Sequence, residues 1–319
     1  MANPTSMKTF CLQSSAPAPR LIEREAPIPQ PGPEEVLIRV HAAGVTPTEV
    51  IWYPTTHTLS GDPRLCAVPG HEFSGVVATL GSRVEGLRAG QEIYGMNDWF
   101  AEGATAQYCI TRPDSIAAKP QSLSHAQAAS VPIGALTAWQ GLFDRANLRK
   151  GERVLVHGGS GAVGIFAVQL ARRAGASVVT TASRRNTEFL SQLGSERVID
   201  YHSERFEDCA GEVDVVFDCV GGSTLERSWK VLKPRGRMVT IAAESEGTQD
   251  ERTQAAFFIV EPKQEQLVEI ARLLDCGELK VCVDGILPLA QAPAAYLGTA
   301  GREQGRGKVV LTMDNEPGS

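Results

Sequence analysis

The run RVLVHGGSGAVGIFAVQLARRAG, from Arg153 to Gly175, constrains the fold more than any other stretch. An apolar strand over 153–157 stops at glycines, and the apolar period then changes. Val163, Phe166, Ala167, Leu170, Ala171 and Ala174 recur at helical spacing on one face, and Gly175 closes the pattern. The turn between, Gly159-Ser160-Gly161-Ala162-Val163-Gly164, fits G-x-G-x-x-G in the strand-to-helix context that gives the motif meaning. Gly159 allows a tight turn, Gly161 lets backbone approach a pyrophosphate, and Gly164 permits close helix–strand packing. The amides at the helix start then face an anion.

The same rhythm continues downstream. SVVTTA reads as a strand, TEFLSQLG as a helix, RVID and VDVVFDCVGG as strands, TLERSWKVL as a helix and GRMVTIAA as a fifth strand. Alternating units of this length imply a doubly wound parallel sheet covered on both faces, the α/β class.

The second strand ends in TTASRRN, so Ser183, Arg184 and Arg185 stand where a dinucleotide site selective for NAD would offer one acid. A carboxylate there would repel a 2′-phosphate, whereas an arginine pairs with it through charge-assisted hydrogen bonds. The expected cofactor is therefore NADP(H).

At 319 residues there is room for two cores. The residues before the glycine turn read differently from those around it. EEVLIRVHAAGV alternates Val36, Ile38 and Val40 with polar neighbours, as in a half-buried strand. Gly70, Gly75, Gly81, Gly86, Gly90 and Gly95 then suggest short strands broken by turns, as in a small barrel. The texture changes near residue 125, and after Pro262 a helix leads to a β-like tail, GKVVLTM, expected to rejoin the first domain. The expected domains are 1–126, 127–262 and a return over 263–319.

Composition narrows the partners. Hydrophobic residues make up 42% and charged residues 21%, as in a soluble globular chain, and the formal charge of −6 argues against nucleic acid or an anionic membrane. The amino-terminal MANPTSMKTFCLQSSAPAPR lacks the apolar core of a secretion signal. Seven scattered cysteines without a CxxC read as reduced thiols in a cytoplasm.

Taken in order, PGHEFSGVV, ALTAWQGL, VLVHGGSGAVG, DVVFDCVGG and GRGKVVL make the chain resemble the medium-chain dehydrogenase/reductase superfamily, and within it the zinc-independent quinone oxidoreductases. The likeness runs from Met7 to Leu311. It implies a Rossmann domain inserted into a GroES-like β-barrel catalytic domain, with substrate and nicotinamide in the cleft between. It also implies cofactor contacts at Tyr201, Val220, Ile241, Phe258, Val260 and Lys308. Of these, Tyr201 and Lys308 are expected near the adenosine phosphate. Thr137 and the Phe258–Val260 backbone are expected near the nicotinamide.

Zinc-dependent members of the superfamily place a cysteine after the AAG strand, a histidine in Gly-His-Glu and a second cysteine before the Rossmann domain. Here Gly70-His71-Glu72 is kept, but Thr46 and Ile133 stand at the flanking positions, and neither side chain is a zinc ligand. The closely spaced cysteines of a structural zinc lobe are missing too, Cys109 standing alone. No metal is expected, and His71 reads as a hydrogen-bonded structural residue, with a proton donor or substrate contact as the alternative.

Without a Lewis acid, reducing a quinone or an α,β-unsaturated carbonyl asks less of the protein than oxidising an alcohol. Hydrogen-bond donors need only hold the oxygen that gathers charge. Tyr53 is the first candidate donor and Thr46, at the lost cysteine position, the second. Trp52, Trp99 and Trp139 could supply an apolar wall. The expected partner is a small-molecule electron acceptor. The alternatives are an enoyl-thioester reductase and a non-enzymatic NADPH-binding regulatory protein. The apolar run AAFFIVEP, with Ala255 to Val260 in succession, reads as a sheet edge that a homodimer would cover.

Overall fold

The computed structural model describes residues 5–13 and 20–313, so part of the amino-terminal stretch read for a secretion signal lies outside the described residues. The chain divides into two compact units, 1–133 with 262–319 and 134–261.

Unit 1 opens with an antiparallel pair, β1 (Ser6–Leu12) and β2 (Leu21–Pro27). There follow β3 (Val36–Gly44), β4 (Glu72–Leu80), β5 (Glu92–Met96), β6 (Tyr108–Thr111) and β7 (Ile116–Ala118). Strand β3 is not the half-buried strand its alternation suggests. Leu37, Ala42 and Ala43 are as buried as Val36, Ile38 and Val40. The reason is position: β3 pairs with β4 along its length and with β6 over its first half, and the helix His125–Ala129 packs Ala129 against Ala42. Nor do all the recurring glycines mark turns. Gly75 lies inside β4, where a Cβ would sit 2.2 Å from the Arg39 carbonyl oxygen.

The reading of every cysteine as a free thiol is corrected at one pair. Cys11 and Cys66 form a disulfide, brought together because the chain returns beside β1, with Leu12 N donating to Ala67 O at 2.9 Å. The thiol argument for a reducing compartment loses these two residues.

Unit 2 holds β8 (Arg153–His157), β9 (Ser177–Ala182), β10 (Arg197–Asp200), β11 (Val213–Asp218) and β12 (Leu232–Thr240). All pairings are parallel, in the order β10-β9-β8-β11-β12. Each parallel step needs a crossover, supplied by the helices Gly164–Arg173, Thr187–Gln192, Phe206–Cys209 and Gly222–Ser228. The order reverses at β8, so the crevice at its carboxyl end is the switch point where ligands of such sheets bind. The helix 164–173 is buried on more than the one face its period marks, since every residue from Gly164 to Ala171 is buried. A second layer covers it: a Cβ on Gly134, in the helix Pro132–Trp139, would meet the Phe166 ring at 3.2 Å. The AAFFIVEP run is also less strand-like than expected. Its first two alanines close the helix Glu251–Ala256, and Phe258 and Val260 are buried.

The chain then re-enters unit 1. Leu267, Ile270, Leu273 and Leu274 of the helix Gln264–Asp275 are buried, and Tyr94 donates to the Leu267 carbonyl at 2.6 Å. Strands β13 (Val283–Pro288) and β14 (Lys308–Thr312) finish the seven-stranded sheet, β14 pairing antiparallel with residues 42–44 of β3. No helix among the described residues is long and apolar enough to cross a membrane.

Candidate functional site

In unit 2 the glycine turn follows β8 directly. Gly158, outside the six-residue motif, has φ +73°, the left-handed region that favours glycine. A Cβ on Gly159 would lie 2.0 Å from Thr180 Oγ1, and one on Gly164 would lie 2.2 Å from the Gly158 carbonyl. Those glycines are required by the protein's own packing. Gly161 differs: a Cβ there would meet only the Gly158 carbonyl, at 3.3 Å, so the open side above it is available to a ligand's phosphates. Ser160, Ala162 and Val163 complete the turn before the ten-residue helix 164–173. This cradle fits a dinucleotide pyrophosphate.

His157, at the end of β8, supports the cradle from beneath. Ser228 Oγ donates to Thr224 O at 2.7 Å, so it accepts the Nε2 proton of His157 at 2.9 Å. Nδ1 is then the acceptor for the Thr181 hydroxyl at 3.0 Å, and Thr181 Oγ1 in turn receives the Gly158 amide at 3.3 Å. Burial disfavours the imidazolium, and the nearby Arg227 adds to this, lowering the pKa from 6.5 to about 3. A neutral imidazole thus ties the ends of β8 and β9 to the turn.

At the end of β9, Ser183 is half-buried and the Arg184 and Arg185 side chains are exposed. An acid, Asp200, stands at the end of β10, paired in register with Ala182. Its carboxylate is occupied by the His202 amide at 3.2 Å and the Ser203 hydroxyl at 3.0 Å, with the His202 amide the first cause of its lowered pKa. Tyr201 beside it is 60% exposed, and Val220 is 51% exposed. Asp218 holds the Val220 turn by accepting from Val220 N at 3.1 Å and Gly221 N at 3.0 Å. Ile241 is half-buried, its amide donating to Asp218 O at 3.1 Å. Phe258, Val260 and Thr137 are buried, so any contact from Phe258 or Val260 would come from backbone. Trp139 packs edge-on against Phe143.

Unit 1 gathers a second constellation, built on the stretch after β3, the start of β4 and the start of β14. Glu49 Oε2 accepts from Gly70 N at 2.7 Å and from His71 Nδ1 at 2.9 Å, both side chains fully buried. His71 Nε2 faces the Ala101 carbonyl at 3.2 Å. Both ring nitrogens of His71 thus face oxygen acceptors of unit 1. Arg64 donates to the same Ala101 oxygen at 3.2 Å and to Pro54 O at 3.1 Å. Trp99 lies 5.0 Å from the His71 ring and meets Trp52 edge-on at 4.7 Å.

Glu72, next to His71, points elsewhere. Its Oε2 accepts the Ile133 amide at 2.9 Å, and its Oε1 pairs with Lys308 Nζ at 2.5 Å. Burial pushes the Glu72 carboxyl above the usual range and the Lys308 ammonium pulls it back. Gly44 makes room for the pair, because a Cβ there would lie 2.5 Å from the Glu72 carboxylate. Lys308 Nζ also donates to Thr46 Oγ1 at 2.9 Å. Lys308, expected beside an adenosine phosphate, is therefore a buried residue of unit 1, and the geometry joins it to Thr46. Sequence reading also passed over Glu49 and Glu72. The one signal was two glutamates, in PTEVI and PGHEF, amid apolar residues, where a charge needs a partner.

Tyr53 heads the short helix Tyr53–Thr56. It is 50% exposed, its ring is stacked on His57 at 4.4 Å and its hydroxyl lies over Gly61. Thr46 and Tyr53 are both reachable by solvent, but no hydrogen bond joins them. A zinc site does not fit these residues: Thr46 and Ile133 offer no ligand, and among the described residues no three His, Cys, Asp or Glu side chains come together to hold a metal ion.

Comparison with known proteins agrees with both units. Residues 32–132 match a family described as alcohol dehydrogenase GroES-like domain, and residues 193–311 match one described as zinc-binding dehydrogenase. A 2-methylene-furan-3-one reductase of Solanum lycopersicum is 33% identical over 91% of this chain and 74% of its own. An NADPH-dependent alkenal/one oxidoreductase, chloroplastic, of Arabidopsis thaliana is 32% identical over 91% of this chain and 75% of its own. Among solved structures, the quinone oxidoreductase from Coxiella burnetii superposes with TM-score 0.85 at 31% identity, covering 96% of this chain and 99% of its own.

Proposed function

Because the chain belongs to the medium-chain dehydrogenase/reductase superfamily, with a GroES-like domain and a Rossmann-type sheet, we propose that this oxidoreductase is an NADPH-dependent, metal-free reductase of quinones or α,β-unsaturated carbonyl compounds. The observation that carries the reading is in unit 2. A phosphate cradle at the switch point is followed, at the end of the next strand, by Ser183, Arg184 and Arg185 with exposed guanidinium groups. That arrangement favours a dinucleotide with an additional phosphate on its ribose.

Bound NADPH supplies the hydride. The chain's own residues do the rest. The cradle and the arginines hold the cofactor's phosphates, and the His157 network keeps the turn in shape. In unit 1, Thr46 and Tyr53 present hydroxyl protons to the acceptor oxygen. These bonds strengthen as negative charge collects on that oxygen, so they lower the barrier more than they tighten ground-state binding. Trp52, half-buried next to Tyr53, supplies apolar surface, and the buried Trp99 packs edge-on behind it.

The test is loss of NADPH absorbance when simple quinones, enones and an enoyl thioester are offered in turn. Turnover of the thioester alone would redirect the reading, and no turnover with any acceptor would leave a cofactor-binding protein without this chemistry. We further propose a homodimer. Strand β12 ends the sheet, and Phe257, bridged to Thr240, and Ile259 are partly exposed beside it. A monomer mass by light scattering at micromolar concentration would count against it.

A further inference from the structure

Lys308 and Thr46 are 262 residues apart in sequence, and Lys308 is 6% exposed. An ammonium only donates, so in their 2.9 Å hydrogen bond Thr46 Oγ1 is the acceptor. The Thr46 proton is therefore not consumed by this contact, and no other hydrogen bond of its hydroxyl occurs among the described residues. Thr46 is half-buried, immediately before the 3-10 turn Pro47–Ile51. A hydroxyl that accepts from a cation in a low-dielectric setting becomes a stronger donor, since consecutive hydrogen bonds polarise one another. Glu72 pairs with the ammonium at 2.5 Å and holds it in place, and Gly44 leaves the space for the carboxylate.

We propose that Lys308 is a positioning residue that acts through Thr46, fixing and polarising its hydroxyl so that it donates to an oxyanion forming on the acceptor. The inference deepens the reductase reading and rests on it. It assigns Lys308 to the hydroxyl of Thr46 within unit 1. Glu72, Lys308 and Thr46 then form one relay of orientation, in which only Thr46 touches the substrate.

The test uses 4-nitrophenolate, an anion whose absorbance reports binding without hydride transfer, titrated into the full-length protein with and without NADP+. The variants are Thr46→Val, Thr46→Ser, the double variant Glu72→Gln/Lys308→Met, which leaves no unpaired buried charge, and the triple variant joining Thr46→Val to it. Thr46→Val and Glu72→Gln/Lys308→Met should each weaken the phenolate by roughly tenfold, and the triple variant by no more than either. Thr46→Ser should retain binding. NADPH affinity, followed by fluorescence, should stay within about twofold in all of them. The proposal is overturned if the wild type does not bind the phenolate, if the losses multiply, or if Glu72→Gln/Lys308→Met spares the phenolate but costs NADPH tenfold or so. Should the double variant not fold, Thr46→Val decides alone, and unchanged phenolate affinity in it sinks the idea. Phenolate binding with this pattern but no NADPH oxidation by any quinone or enone would tell against the reductase reading and leave the Lys308–Thr46 assignment standing.

Discussion

His71 Nε2 lies 3.2 Å from the carbonyl oxygen of Ala101, and its other nitrogen lies 2.9 Å from Glu49 Oε2. Both ring nitrogens are thus turned toward oxygen acceptors, whereas a metal would need one lone pair free. Elemental analysis of the purified protein should find no stoichiometric zinc, and turnover should survive chelation. One zinc per chain, with activity lost to a chelator, would refute this.

Cofactor choice should lie with the end of β9. Replacing Arg184 and Arg185 by Ala removes the cations there and leaves the cradle intact. NADPH binding should weaken by about 1.5–3 kcal/mol for each charge-assisted hydrogen bond removed, with NADH affected little. An equal weakening of both cofactors in a titration would show that the arginines do not read the 2′-phosphate.

Tyr53→Phe removes a hydroxyl and keeps the ring that stacks on His57. Turnover of an enone should fall roughly 10- to 100-fold with NADPH affinity nearly unchanged. A quinone should suffer less, because its reduced form is already a stabilised anion. Full turnover of every acceptor would reduce Tyr53 to a packing residue and leave Thr46 as the donor.

His157 gives unit 2 an acid weakness. The folded state holds it neutral, with a pKa lowered to about 3 from an ordinary 6.5, while the unfolded chain takes up a proton below about 6.5. More protons are bound on unfolding throughout that window. Stability is therefore whole above 6.5 and declines as pH falls toward 3, by about 1.4 kcal/mol per unit at most. Denaturant unfolding between pH 7 and 4.5 should show this slope, and His157→Gln should flatten it. An unchanged slope in the variant would assign it to other groups.

Unit 2 was legible because its signals are local. The period change at Gly164 and the apolar run before it each lie within a few residues, and the matching strands and helices follow in chain order. The unit 1 constellation was not legible for the opposite reason. Glu72 could be read as part of Gly-His-Glu, but nothing near it in sequence names Lys308 as its counter-charge. That pairing exists only because β14 lies antiparallel to the last residues of β3. Gly158 was missed because the motif begins one residue later, although the left-handed residue of the turn is Gly158.

The return of the chain to unit 1 also sets an order of assembly on the ribosome. Unit 2 is one unbroken stretch and can close as soon as it has emerged. Unit 1 cannot, because β14 completes the pairing of β3 and brings Lys308 to Glu72. Until then β3 shows an open edge at residues 42–44, and Glu72 lacks its cation. At ordinary synthesis rates that interval lasts roughly ten seconds or more. A nascent chain stalled before Gly307 would carry a finished cofactor-binding half and an unfinished half with an exposed strand edge, the kind of species that chaperones hold and proteases clear.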